Sequence, residues 1–154
     1  MALDDLYREV IMDHYKRPRN RGTLDDANVV VEGANPLCGD EVTLWLDIAD
    51  GTVTDVRFAG HGCSISQASA SIMTEAIEGR PIGEVDEIVQ ALRGMMLEGD
   101  EPDEDLLGDG IALEGVRQFP VRIKCAVLGW NTLQLGLKQF VDSGGKPVEA
   151  HHRE

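Results

Sequence analysis

The order of hydrophobic patterns along the chain predicts an α+β fold. Apolar residues recur at helical spacing between Leu3 and Tyr15, whereas residues 41–48 alternate between apolar and other types, as a half-buried strand does. From about residue 64 onward the pattern is mostly helical. We therefore expect a small antiparallel sheet of three strands, packed against about four to six helices.

The first half of the chain contains the predicted sheet. Pro18 ends the opening helix, because proline cannot continue a helical hydrogen-bond pattern. Asp50-Gly51 predicts a tight turn that joins strand 41–48 to an antiparallel return strand at 52–59. Residues 29–32 are expected to add the third strand at one edge.

The second half of the chain is predicted to be helical. Ser64 to Gln67 matches the S-x-x-Q capping box, so Ser64 is expected to cap a helix that ends near Glu78. Pro120 is a favoured first-turn residue and predicts the start of the last helix. Further helical patterns cover residues 84–97 and 111–116, and the last helix extends to about residue 141.

These elements predict one domain over residues 1–142. Residues 143–154 contain two glycines, a proline and a polar end, and are expected to form a flexible tail. His151 and His152 lie in this tail and could bind a metal adventitiously.

The charge of the chain argues against two classes of partner. With 154 residues and a formal net charge of −14, the protein should repel both nucleic acid and anionic membranes. No apolar run approaches the length of about 18 residues that a membrane-spanning helix needs. The first residues also show no basic segment followed by an apolar one, so we expect a cytoplasmic protein without membrane association.

Charged residues are unevenly distributed. Basic residues gather at 16–21, and we expect His14 to belong to the same N-terminal surface patch. Residues 98–109 carry seven carboxylates among glycines and a proline, which predicts a solvated loop.

The sequence has three cysteines, Cys38, Cys63 and Cys125, and Asp40 follows the first of them closely. Three thiolates and one carboxylate would complete a tetrahedral set for a zinc-sized ion. The residues alone leave two alternatives open, namely one disulfide with a spare thiol, or three unrelated buried cysteines. A cytosolic location argues against the disulfide, because thiols stay reduced there.

Three motifs together resemble the U-type iron–sulfur cluster assembly proteins. They are Asn-Pro-x-Cys-Gly-Asp at 35–40, Gly-x-Gly-Cys-x-Ile-Ser at 60–66 and Pro-x-Arg-Ile-Lys-Cys-Ala at 120–126, and the resemblance covers about residues 3–142. Within this superfamily the chain is more similar to the SufU branch than to the IscU scaffold branch. Scaffold members carry histidine directly before the last cysteine, where this chain has Lys124, and the long segment between Cys63 and Cys125 matches the SufU insertion.

The resemblance implies a zinc site formed by Cys38, Asp40, Cys63 and Cys125. It also implies that Cys38 accepts persulfide sulfur from a SufS-type cysteine desulfurase that uses pyridoxal phosphate, and that the sulfur passes to a downstream iron–sulfur scaffold. Two alternatives remain: a scaffold that assembles a transient [2Fe–2S] or [4Fe–4S] cluster on the same ligands, and a purely structural zinc domain.

Two cations close to Cys125 in sequence are candidate supporting residues. Arg122 and Lys124 could stabilise a released thiolate or persulfide, although solvated helix charges explain them equally well. His61 lies two residues before Cys63 and could replace a zinc ligand, but a turn histidine that faces water is the simpler interpretation.

Overall fold

The structure, a computed structural model, describes residues 2–153 and has the predicted α+β architecture. Its elements in chain order are α1 (Ala2–Lys16), β1 (Val29–Asn35), β2 (Asp40–Ala49), β3 (Thr52–His61), α2 (Ser64–Ile77), α3 (Ile82–Leu97), α4 (Glu104–Leu107), a 3₁₀ helix (Gly108–Gln118), α5 (Pro120–Asp142) and β4 (Val148–Arg153).

The sheet has four strands in the order β3-β2-β1-β4, so the prediction of three strands was one short. The first three strands are antiparallel, as expected, and β4 lies parallel to β1. Val29 faces Val148 in this pair, and Ala34 faces Arg153. The prediction of a flexible tail was therefore wrong for residues 148–153, since the free edge of β1 supplies hydrogen-bond partners that a local pattern does not reveal.

One face of the sheet is buried against the helices. Along β2 every second residue is buried, namely Val42, Leu44, Leu46 and Ile48, which confirms the predicted alternation. Burying a side chain of this size stabilises the fold by roughly 1.5–3 kcal/mol. The sheet is thus fixed in register, because a shift of one residue would move the whole apolar row to the other face.

Helix α5 lies very close to β1, and two glycines make this approach possible. A Cβ added at Gly33 would overlap the Thr132 hydroxyl, and one added at Gly136 would lie 3.0 Å from the Val31 side chain. Trp130 is fully buried and donates its Nε1–H to Ser69 Oγ in α2 at 2.9 Å. These contacts fix α5 against both the sheet and α2.

The acidic segment 98–109 is more ordered than predicted. Asp103 caps α4 by accepting the Leu106 N–H at 3.2 Å, and the side chain of Leu107 is buried in the core. The prediction of a solvated loop was wrong for α4, because two adjacent leucines in an acidic stretch give too little periodicity to indicate a helix. Among the described residues, no helix combines the length and apolar character needed to cross a membrane.

Candidate metal centre

The turn between β1 and β2 carries Cys38 and Asp40. Asn35 shapes this turn: its Oδ1 accepts the Leu37 N–H at 3.2 Å and its backbone carbonyl accepts the Gly39 N–H at 2.9 Å. Gly39 has a φ of 72°, a conformation that disfavours side chains, so glycine is needed there. The tight turn leaves Cys38 exposed while Asp40, at the start of β2, is 1% exposed.

Cys63 lies where β3 passes into α2 and is itself the N-cap of that helix. Its Sγ accepts the Ser66 N–H at 3.5 Å, and its backbone is extended. The prediction that Ser64 caps α2 was wrong by one residue, because a thiol sulfur can also accept from the free N–H groups of a first turn. The N-terminus of α2 therefore faces the Cys63 sulfur through the Ser66 N–H.

Cys125 lies in the second turn of α5 and is 5% exposed. Its position follows from the packing of α5, which begins at Pro120 and is fixed against β1 and α2 further along its length. The three cysteines, which are free thiols, therefore come from a turn, a strand-to-helix junction and a helix.

These segments bring the predicted ligands together. Cys38 Sγ lies 3.2 Å from Asp40 Oδ2 and 4.0 Å from Cys125 Sγ, and Cys63 Sγ lies 3.8 Å from Asp40 Oδ2. A tetrahedral zinc ion with zinc–sulfur bonds of about 2.3 Å places its sulfur ligands about 3.8 Å apart. The candidate ligand atoms of Cys38, Asp40 and Cys125 all lie within 4.8 Å of one another, and Cys63 adjoins this group through its contact with Asp40 Oδ2. Soft sulfur donors together with one carboxylate oxygen are a ligand set that suits zinc.

The Asp40 carboxylate is oriented by its neighbours. Oδ1 accepts the Cys63 N–H at 2.9 Å, so Oδ2 is the oxygen that faces the thiols. Gly62 makes room for this arrangement, since a Cβ there would overlap Asp40 Oδ1. The carboxylate is thus prepared to bind a metal through one oxygen.

The surroundings of the site shift the pKa values of Cys38, Cys125 and Asp40. Burial raises the pKa of Cys125 and that of Cys38, and the adjacent Asp40 raises both further. For Asp40, burial acts to raise the pKa, but hydrogen bonds from the Cys63 N–H and from the surrounding side chains lower it on balance. The shifts favour protonated thiols at Cys38 and Cys125 beside an ionised Asp40 carboxylate, and a bound cation would displace protons from these two thiols.

The other candidate residues lie outside this cluster. Arg122 and Lys124 are exposed, and within residues 2–153 neither side chain forms a hydrogen bond or ion pair with the four ligands. His61 is largely exposed at the end of β3 and pairs with Glu41, which agrees with the simpler interpretation of this residue.

Large apolar side chains are exposed next to Cys38 in sequence and at the start of α5, the helix that carries Cys125. Leu37 is 86% exposed, Val121 is 83% exposed and Phe119 is 57% exposed. A groove of about 440 Å³ extends from Phe119 between α1 and the 3₁₀ helix, and Arg8 and Arg122 are the charged residues that line it. Large exposed apolar side chains beside a candidate site are typical of a protein-docking surface.

Three residues near the ligands were not predicted as parts of the site, namely Gly62, Ser66 and Gln67. Ser66 and Gln67 lie in the first turn of α2 and are buried, and Ser66 Oγ donates to the Cys63 carbonyl at 3.1 Å. The Gly-x-Gly-Cys-x-Ile-Ser motif could have indicated Ser66, because a serine three residues after the N-cap of a helix lies close to the cap residue.

A second cluster combines His14, Glu75 and Asp109, whose candidate ligand atoms lie within 4.8 Å of one another. His14 is completely buried, so the expectation that it belongs to a surface patch was wrong. Its Nδ1 lies 2.8 Å from Ser71 Oγ and its Nε2 lies 2.9 Å from Asp109 Oδ2. The sequence did contain this signal, because His14 follows Tyr7 and Ile11 at helical spacing on the inner face of α1.

The fold and the site together define a small α+β protein that gathers three cysteines and an aspartate into one cluster. Comparison with known proteins identifies the class more closely: residues 6–145 match the family model of the NifU-like N-terminal domain, and the chain belongs to this family.

Named relatives belong to both branches of the superfamily. The chain is 49% identical over 144 residues to the zinc-dependent sulfurtransferase SufU of Bacillus subtilis, which covers 93% of this chain and 95% of the relative. It is 41% identical over 140 residues to the iron–sulfur cluster assembly scaffold protein IscU of Thermotoga maritima, which covers 91% and 98%.

Solved structures confirm the fold. The SUF-system protein FiSufU of Fervidobacterium islandicum AW-1 is 43% identical with a TM-score of 0.79, over 84% of this chain and 94% of its own. The NifU-like N-terminal protein of Brucella abortus is 26% identical with a TM-score of 0.83, over 92% and 99%.

Proposed function

We propose that this protein is a zinc-dependent sulfurtransferase of the cytoplasm that accepts sulfur for iron–sulfur cluster assembly. The main support is that the three cysteines of the cluster differ in solvent exposure. Cys38 is exposed, Cys63 is partly exposed and Cys125 is buried. One thiol is therefore accessible to another protein while the others are held inside the fold. The 49% identity to a zinc-dependent sulfurtransferase supports the same conclusion.

Cys38, Asp40, Cys63 and Cys125 would hold the zinc. When bound, zinc keeps its cysteine ligands deprotonated at neutral pH, so that a sulfur nucleophile is stored in a protected form. Asp40 supplies a single harder donor among the thiols, and its other oxygen is held by the Cys63 N–H.

The chemical step assigned to this chain is persulfide exchange at Cys38. The Cys38 thiolate attacks the terminal sulfur of a persulfide on the partner, so that a new S–S bond forms and the S–S bond of the partner breaks. The partner cysteine leaves as a thiolate, and the transferred sulfur keeps its oxidation state. No external oxidant or reductant is required. Arg122 and Lys124 are exposed cations close to Cys125 in sequence, and they are proposed to stabilise the anionic persulfide that results.

The sulfur donor is proposed to be a SufS-type cysteine desulfurase that uses pyridoxal phosphate, and the acceptor a downstream iron–sulfur scaffold. The exposed side chains of Leu37, Phe119 and Val121 support docking of a protein rather than entry of a small molecule. Burial of such side chains is a main source of affinity at protein interfaces.

The proposal is tested with the chain, a SufS-type desulfurase, cysteine and a reductant. We expect the wild-type chain to increase the rate of alanine release, and Cys38→Ala to abolish the increase while Asp40, Cys63 and Cys125 retain zinc. Without reductant, mass spectrometry should find the added sulfur on Cys38. Stimulation that survives in Cys38→Ala, with sulfur on Cys125, would contradict the assignment.

A second function is supported by the 41% identity to a scaffold named IscU. Iron uses the same thiolate ligands, so the cluster could also assemble a transient [2Fe–2S] or [4Fe–4S] centre. Purified protein that is colourless and contains about one zinc per chain favours sulfur transfer, whereas a brown protein with iron and acid-labile sulfide favours the scaffold.

A further inference from the structure

A hydrogen-bond chain in the first turn of α2 lies beside Asp40. It starts at Gln67, whose Nε2 donates to Ser66 Oγ at 3.3 Å, and continues through the Ser66 hydroxyl to the Cys63 carbonyl at 3.1 Å. Ser66 is 6% exposed and Gln67 is 7% exposed, so water has little access to either side chain.

The hydrogen-bond chain comes close to the Asp40 carboxylate at Gly62. The same added Cβ that would overlap Asp40 Oδ1 would lie 2.9 Å from Ser66 Oγ. The hydroxyl and Oδ1 therefore both border one small space above the Gly62 backbone. Because Oδ1 also accepts the Cys63 N–H, this oxygen is committed to the protein and Oδ2 is left for the thiol cluster.

Proton counting shows why Gln67 matters. A serine hydroxyl has one proton to donate and can accept from two donors. Because the Gln67 amide donates to Ser66 Oγ, the Ser66 proton stays available for two acceptors within its reach. They are the Cys63 carbonyl and the Asp40 carboxylate, whose pKa is lowered in part by a hydrogen bond from Ser66. If the amide turned over, its oxygen would compete for that proton.

The buried Gln67 amide reduces the stability of the fold. Among the described residues, Gln67 Oε1 is the buried side-chain atom that has no hydrogen-bond partner. A buried acceptor without a partner destabilises a fold by about 1–3 kcal/mol, so packing alone would favour an apolar residue of similar size at this position. This loss of stability indicates a role for the Nε2 donor of Gln67.

We propose that Ser66 and Gln67 are positioning residues that hold Asp40 as a ligand through Oδ2 alone, and thereby limit how fast the metal leaves the site. This inference rests on the zinc site of the proposed function. It assigns a role to two residues outside the ligand set. Loss of a hydrogen-bond partner that orients a ligand typically weakens metal binding by about 10–100-fold.

The test is the rate of zinc transfer from the zinc-loaded chain to a chromogenic chelator. We expect Ser66→Ala to accelerate transfer by about tenfold. Gln67→Leu should accelerate it by a smaller factor and, since it removes the unpaired oxygen, should leave the melting temperature unchanged or raise it. A role in packing alone would move stability and leave zinc transfer at the wild-type rate. Cobalt-substituted Ser66→Ala should also show a shifted ligand-field absorption band.

Two further variants sharpen the result. Ser66→Thr keeps the hydroxyl and should restore slow transfer, and Ser64→Ala, which lies outside the hydrogen-bond chain, should match the wild type. Transfer rates within about twofold of the wild type for both Ser66→Ala and Gln67→Leu would overturn the inference. The outcome is separate from that of the proposed function. Altered zinc transfer in a chain that fails to stimulate the desulfurase would support the positioning role and contradict the sulfur-transfer role.

Discussion

Two clusters in this molecule contain residue types that bind metals, and they differ in what already satisfies them. In one, Cys38 and Cys125 face an ionised Asp40, and hydrogen bonds from thiols are the weak partners of its outward oxygen. In the other, His14 is completely buried and both of its ring nitrogens have strong oxygen partners, Ser71 and Asp109.

The connections of the second cluster explain this difference. The Arg19 N–H donates to Ser71 Oγ at 2.8 Å, which leaves the Ser71 hydroxyl proton for His14 Nδ1 and the Nε2–H of the ring for Asp109. Arg19 also lies 3.7 Å from Glu75 and compensates its charge. Proximity of ligand types is therefore insufficient evidence for a metal site. The polar groups of the histidine cluster already have partners and connect α1, α2 and the 3₁₀ helix. In the cysteine cluster the negative charge of Asp40 has only weak partners, so a bound cation would stabilise that cluster more.

The largest effect that would separate the two clusters is on zinc affinity. Cys125→Ser should weaken zinc binding by more than about a hundredfold, because a serine hydroxyl is not deprotonated near neutral pH as a ligand thiol is. His14→Gln should leave the affinity and the stoichiometry of about one zinc per chain unchanged. Competition with a chelator of known affinity measures both. A loss of zinc in His14→Gln, with Cys125→Ser unaffected, would reverse the comparison.

The four candidate ligands could be predicted from sequence because each lies in a short motif with its own local geometry. Gly39 follows Cys38 in a turn that requires a positive φ, and Cys63 lies at a predicted strand-to-helix junction. Their convergence at one end of the sheet did not follow from periodicity. It depends on the close packing of α5 on β1, which the pairing of Gly33 with Thr132 permits.

The fourth strand and the hydrogen-bond partners of His14 could not be predicted, for different physical reasons. In β4 the inward-facing positions are Val148, Ala150 and His152, which is too short an apolar pattern to indicate a strand, and the strand forms by pairing with the distant β1 edge. His14 lies on the apolar face of α1, but the basic residues at 16–21 led to the prediction that it is exposed. Its partners Ser71 and Asp109 are separated from it by 57 and 95 residues.

A smaller effect is expected on stability, and it should appear in the histidine cluster. His14→Ala removes a fully buried ring and leaves Ser71 and Asp109 without their partner, so the free energy of unfolding should fall by about 3 kcal/mol. Urea unfolding of the zinc-loaded protein measures this change. The half-exposed Asp109 offers a matched control, because Asp109→Asn should cost less than about 1 kcal/mol. Equal losses for the two variants would show that the ring is not the centre of the cluster.

The smallest effect is a pH dependence of opposite sign with and without zinc. In the metal-free chain, burial and then Asp40 raise the pKa of Cys125 and of Cys38 above the usual thiol value of 9.0. The folded state therefore binds thiol protons more tightly than the unfolded state. This contribution to stability is complete below the unfolded thiol pKa and is lost as the pH rises above it. The metal-free melting temperature should accordingly fall between about pH 8 and pH 10.

Zinc-loaded protein should respond in the opposite direction, since protons compete with zinc for the thiolates and acid removes the metal. Its melting temperature should fall between about pH 7 and pH 5 and approach that of the metal-free chain. The double variant Cys38→Ala, Cys125→Ala is the control, because it lacks both raised thiols and should show a flatter alkaline slope without metal. If the melting temperature of the double variant still falls as strongly at alkaline pH, other groups cause that fall. The cysteine cluster would then account only for the loss of stability at acid pH in the zinc-loaded protein.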